Sequence, residues 1–78
     1  MQHRLRELRE DRDLRQKDLA DHLNCSQVCY SYYELGRREL PTEVLIQLAH
    51  FYGTSTDYLL GLTDVPAPYP PSSRGREK

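Results

Sequence analysis

Residues 16–36 read QKDLADHLNCSQVCYSYYELG, and the spacing within this stretch decides the fold. Leu19, Ala20 and Leu23 recur at three- and four-residue intervals, which places them on one apolar stripe of a short helix beginning near Gln16. Asn24 ends that helix, because asparagine tolerates the left-handed conformation better than any side chain but glycine's hydrogen. Ser26 is placed to cap a second helix from Gln27, its hydroxyl accepting from free backbone N–H groups. Tyr30 and Tyr33 form the inner side of that helix, and Gly36 closes it in the left-handed region. Two short helices on so tight a turn cross steeply, small Ala20 allows their close approach, and the second helix projects. The pattern is a helix-turn-helix. With Tyr30 and Tyr33 inward, the outer face holds Gln27, Val28, Ser31 and Tyr32, with Cys29 at its edge. That face is uncharged and rich in hydrogen-bonding groups.

Outward from this stretch, the periodicity predicts a first helix over 3–12, with Leu5 and Leu8 inward and alternating Arg, Glu and Asp outward. After Gly36, Pro41 suits the first turn of a fourth helix, where its missing N–H has no partner to lose. Leu45, Leu48, Ala49 and Tyr52 keep helical register, and Gly53 ends the run. Ser55 caps a short fifth helix with Asp57 in its first turn and Tyr58, Leu59 and Leu60 as apolar contacts; Gly61 terminates it. No strand pattern occurs, so the expectation is an all-α bundle of five helices over residues 1–63. Residues 64–78 turn to proline, serine and charge, a composition that cannot bury enough to fold alone and reads as an extended or disordered tail. Its PxxP match, Pro68 to Pro71, is too common to identify a partner.

With 78 residues the chain holds one small domain and a modest core, which argues against a deep catalytic cleft. Catalytic groupings are missing as well. His3, His22 and His50 fall on three different predicted helices, no serine or cysteine has a histidine and a carboxylate at suggestive spacing, and there is no Gly-rich phosphate loop. His22, Cys25 and Cys29 have spacings a metal can use, yet a fourth ligand is missing, so no metal or other cofactor is expected. No signal segment or apolar run approaches the roughly 18 residues of a membrane helix, and a cytoplasmic protein with reduced thiols is expected. The net charge of −1 gives no global signal for nucleic acid. Local distribution counts for more: Arg15, Lys17, Arg37 and Arg38 bracket the central motif, although Asp18, Asp21, Glu39 and Glu43 weaken their field.

The stretches LRELRED at 5–11, QKDLADHL at 16–23, SYYELGRREL at 31–40 and VLIQLAHFYGTSTDYLLGLTD at 44–64 together resemble the Cro/C1-type, or XRE, helix-turn-helix family of bacterial and phage regulators. The resemblance covers residues 1–64, about four fifths of the chain, and its most specific parts are the last run and the Gly-Arg-Arg turn at 36–38. It implies a lambda-repressor-like DNA-binding domain in which Arg9 pairs with Glu34 to tie the first helix to the third. It makes Cys25 a small buried apolar residue of the turn. Asp13 stands where the family often has glycine or asparagine. Arg15 departs from the usual Ser or Thr cap, a loss of about 0.5 to 2 kcal/mol that a phosphate contact would offset. Tyr32 replaces a position often basic or polar, so the resemblance does not carry over a preferred base sequence.

The expected function is sequence-specific binding of double-stranded DNA, with the helix from Gln27 to Glu34 reading the major groove. Gln27 is suited to a bidentate pair with adenine, Val28 to a thymine methyl, and Ser31 and Tyr32 to base edges or the sugar-phosphate strand. Backbone anchoring falls to Arg15, Gln16, Lys17, Ser26, Cys29, Arg37 and Arg38, while Arg9, Ala20, Asn24, Glu34 and Gly36 hold the frame. One small domain covers about one half-site, so a homodimer on a palindromic operator is expected, acting as a transcriptional repressor. The rival expectation is an interaction module of the same fold, antitoxin-like, that holds a protein partner and binds DNA weakly.

Overall fold

A computed structural model describes residues 3–70. Five helices follow one another: α1 Leu5–Asp11, α2 Gln16–Leu23, α3 Gln27–Leu35, α4 Thr42–Tyr52 and α5 Thr56–Leu59, and no strand occurs among the described residues. The all-α, five-helix architecture is the one the periodicity predicts. Helices α2 and α3 pack on each other across Ala20, which is almost wholly buried.

All five helices end on the same device. The residue after each last turn has positive φ: Asp13 at 55°, Asn24 at 59°, Gly36 at 73°, Gly53 at 66° and Gly61 at 79°. At α2 the Cys25 N–H reaches back to the Ala20 carbonyl at 2.9 Å and the Asn24 N–H to that of Asp21 at 3.2 Å. The same paired bonds close α1 through Leu14 and Asp13, α3 through Arg37 and Gly36, α4 through Thr54 and Gly53, and α5 through Leu62 and Gly61. Each left-handed residue turns the chain sharply while satisfying carbonyls that a helix end leaves open. Short helices on such tight caps can stack around a small core.

That core is Leu5, Leu19, Ala20, Tyr30, Tyr33, Leu48, Ala49, Tyr52 and Leu59, so every helix contributes. Burial raises the Tyr30 phenol far above its ordinary range and pushes Tyr52 up to about 12. Neither hydroxyl has a hydrogen-bond partner among the described residues.

Three details differ from the sequence reading. Pro41 is the extended N-cap of α4, with φ −61° and ψ 149°, and lies outside the helix rather than in its first turn. At α2 the missing Ser/Thr cap is compensated from the other direction: the Asp18 carboxylate accepts the Arg15 N–H at 2.8 Å, and the Arg15 guanidinium approaches the same carboxylate at 3.3 Å. A guanidinium has no acceptor, so only this half of a capping box is available. Accepting the Arg15 N–H, together with the guanidinium, holds Asp18 below the usual carboxylate range. The third detail concerns the tail. Arg4 donates to the Tyr58 carbonyl at 2.8 Å, to the Thr63 carbonyl at 3.0 Å and to Asp64 at 2.7 Å, and lies 4.4 Å from the centre of the Tyr58 ring. Further on, the Thr54 hydroxyl donates to the Pro66 carbonyl and the Tyr69 hydroxyl to Asp57 at 2.9 Å. Residues 64–70 are therefore irregular but folded back over α5, and the rest of the expected tail, 71–78, lies outside the described residues.

Candidate nucleic-acid interface

Helix α3 is presented by its two ends. The Ser26 hydroxyl accepts the Cys29 N–H at 3.0 Å, and Gly36 turns the chain away into Arg37 and Arg38. Buried Tyr30 and Tyr33 fix its rotation, and what remains outward is Gln27, Val28, Ser31, Tyr32 and Leu35. Val28 is 60% exposed, Tyr32 37% and Leu35 61%. The Ser31 hydroxyl donates to the Val28 carbonyl at 2.7 Å, so its proton is used within the helix and its lone pairs face out. Sequence reasoning missed Leu35. Its signal was the spacing of 28, 32 and 35, one position in every turn on a single face.

Beneath this helix runs a buried ionic link. Arg9 donates from Nε to Glu34 Oε2 at 2.6 Å and from Nη2 to Oε1 at 3.2 Å, and also from Nη1 to the Leu14 carbonyl at 2.9 Å. The Glu34 side chain is only 2% exposed. Burial alone would raise its carboxyl, but the Arg9 and Gln16 hydrogen bonds, the Arg9 charge and the nearby Tyr30 hydroxyl outweigh burial and hold it below the usual range. The Gln16 contribution was not foreseen: its amide donates to Glu34 Oε1 at 3.2 Å, which joins the start of α2 to the end of α3.

The residues expected at the DNA backbone are arranged unevenly. Arg15 is paired with Asp18, and Lys17 with Asp21 at 3.2 Å, so both α2 cations are partly neutralised by neighbours on their own helix. Arg37 and Arg38 are exposed and form no ion pair among the described residues. Arg38 folds back on α3, donating from Nη1 to Cys29 Sγ at 3.4 Å and lying 5.9 Å from the centre of the Tyr32 ring. Cys29 is half-buried and packs on the core with Cys25, so its thiol faces Arg38 rather than the outer surface. Burial, with the Cys29 thiol beside it, pushes the Cys25 thiol up. The third residue weighed for a metal, His22, packs at a tilt on Phe51 with ring centres 4.6 Å apart, and no cluster of three ligating side chains occurs among the described residues.

No helix among the described residues is long and apolar enough to cross a membrane. The surface that the fold singles out is thus the outer face of α3, flanked by Arg37 and Arg38, on a helix whose rotation and tilt are fixed by Tyr30, Tyr33 and the Arg9–Glu34 link.

Comparison with known proteins agrees with this geometry. A family model described as a helix-turn-helix domain matches residues 3–60. The chain is 40% identical over 65 residues to the uncharacterized HTH-type transcriptional regulator YobD of Bacillus subtilis, covering 83% of this chain and 58% of that protein. It is 40% identical over 62 residues to the HTH-type transcriptional regulator ImmR of the same organism, covering 80% of this chain and 49% of that one. A crystal structure of a transcriptional regulator from Listeria innocua superposes with a TM-score of 0.73 at 31% identity, covering 78% of this chain and 61% of that one. The chain thus spans about half to three fifths of the length of these relatives. These relatives are regulators and not enzymes. The chain belongs to the helix-turn-helix family of the Cro/C1, or XRE, type.

Proposed function

We propose that this protein binds double-stranded DNA sequence-specifically, inserting α3 into the major groove, and that it does so as a two-fold dimer on a palindromic operator to repress transcription. The observation that carries the reading is the outer face of α3: uncharged, exposed, and flanked by two arginines without acidic partners among the described residues. Uncharged side chains suit base edges, and cations at the end of the helix suit phosphates. In this reading Gln27 pairs with adenine and Val28, Ser31 and Tyr32 contact neighbouring bases. Arg37 and Arg38 hold the strand, assisted by Gln16, Ser26 and the Cys29 region at the helix N-termini, and by Arg15 and Lys17 once they release their carboxylates. The protein acts in the cytoplasm, where its operator lies.

A second reading, an interaction module whose main partner is a protein, is favoured by one observation. The Arg15–Asp18 and Lys17–Asp21 pairs and the net charge of −1 lower the positive field that a DNA-binding face relies on. Selection of bound duplexes from a random pool, followed by affinity measurement at two salt concentrations, separates the two. A palindromic site bound by two copies, weakened on Gln27→Ala, supports the operator reading. Recovery of no sequence above background at low salt rejects it in favour of the protein partner.

A further inference from the structure

The outer face of α3 is not only uncharged but apolar along a line. Val28, Tyr32 and Leu35 fall at i, i+4 and i+7, on one stripe; Val28 and Leu35 are largely exposed and Tyr32 is partly so. The one hydroxyl beside the stripe, Ser31, already donates to the Val28 carbonyl. Tyr32 has its ring flanked by the Arg38 guanidinium, which is itself tied to Cys29.

Resting on the operator reading above, we infer that the half-site presents two thymines about two base-pair steps apart, whose C5 methyl groups are covered by Val28 and Tyr32. An α-helix rises about 1.5 Å per residue, so four residues advance roughly 6 Å, close to two steps of about 3.4 Å along a strand. Thymine is the base that offers an apolar group in the major groove, and an apolar side chain over it loses no hydrogen bond. The flanking Arg37 and Arg38 match the phosphates of the strand that carries those thymines. Leu35, a turn further on, extends the apolar contact along the sugar edges as the helix leaves the groove.

The test uses the selected operator with each thymine facing α3 replaced by deoxyuridine, which deletes the methyl and leaves base pairing unchanged. Removing one covered methyl is expected to weaken binding about fourfold, the worth of one buried methylene, and removing both about fifteenfold. Val28→Ala and Tyr32→Ala, each first shown by thermal melting to be folded, each abolish the thymine-over-uracil preference at one position and leave it at the other. Tyr32→Phe retains it. Equal affinity of the wild-type protein for the thymine and uracil duplexes overturns this inference alone. Failure of the selection to recover any site overturns the operator reading, and this inference with it.

Discussion

Arg9 and Glu34, 25 residues apart, meet through two hydrogen bonds at 2.6 and 3.2 Å with Glu34 almost fully shielded from water. Removing one member leaves the other charged and buried, which typically costs about 3 to 5 kcal/mol. A domain of this size has a total stability of the order of 5 kcal/mol, so Arg9→Ala and Glu34→Ala should each leave it only about 0 to 2 kcal/mol, marginally folded at room temperature. The apolar double variant Arg9→Met, Glu34→Leu should recover much of the loss. The pH dependence has a definite sign. Because Glu34 is held below its ordinary value of 4.5, its contribution is fully present above that pH and disappears as pH falls through the lower folded value. Urea midpoints taken from pH 6 downward should fall steeply below about 4.5 in the wild type and more gently in the double variant.

The two left-handed caps that are not glycine make opposite predictions. Asp13 at φ 55° gains from glycine, which adopts this conformation without the crowding of Cβ, so Asp13→Gly should raise stability by up to about 1 kcal/mol. Asn24 at φ 59° is already the best tolerated non-glycine residue, and Asn24→Ala should cost about 1 kcal/mol because alanine lacks the polar side chain that eases the conformation. Thermal melts of the two variants should shift in opposite directions. A parallel shift would show that the cap at one of these positions is unimportant.

Tyr52 should make the protein sensitive to alkali. Its folded value, pushed up to about 12 by burial, lies above the ordinary 10.0, so stability is intact below pH 10 and is lost as pH rises toward 12. Tyr52→Phe removes both this dependence and a buried hydroxyl that has no partner among the described residues, and should be neutral or stabilising at pH 7. Ultraviolet titration of the six tyrosines checks the first part: the wild type should show a delayed fraction that ionises only as the domain unfolds.

Gln27 and Arg38 should divide the work at the duplex. Gln27→Ala is expected to weaken the selected operator by about 1 to 3 kcal/mol and relax one base preference, whereas Arg38→Ala lowers affinity for every sequence and flattens the salt slope by about one unit. Competition binding against mutated operators at two salt concentrations distinguishes them. Equal losses on all sequences from both variants would contradict the division.

The turn of α2 into α3, the caps Ser26, Ser55, Asn24 and Gly36, and the inward tyrosines were legible because each depends on neighbours within a few residues. The Arg9–Glu34 contact followed only from the resemblance, since periodicity cannot say which charged residue of α1 faces inward. The Arg4 clamp was invisible: its partners lie 54 to 60 residues away, and one arginine among several on a charged helix carries no mark of where it points. Gln16 shows the same limit: it was expected at the DNA backbone, and its bond to Glu34 was not legible. Residues 64–70 looked unable to fold because composition measures what a segment can bury alone, and these residues are held by Thr54, Asp57 and Arg4 of the domain.

The Arg4–Asp64 contact at 2.7 Å also makes the domain a nearly closed ring in space, with its entrance and exit side by side. A few added residues would bridge the two points, so the order of the helices along the chain can be cut elsewhere without moving any of them. Opening the chain in the exposed turn at 37–39 and linking Asp64 to Arg4 through a short connector should give a circular permutant with the same core. For the same reason the domain can be spliced into a surface loop of a host protein, which would carry α3 without the two ends of the inserted segment having to part.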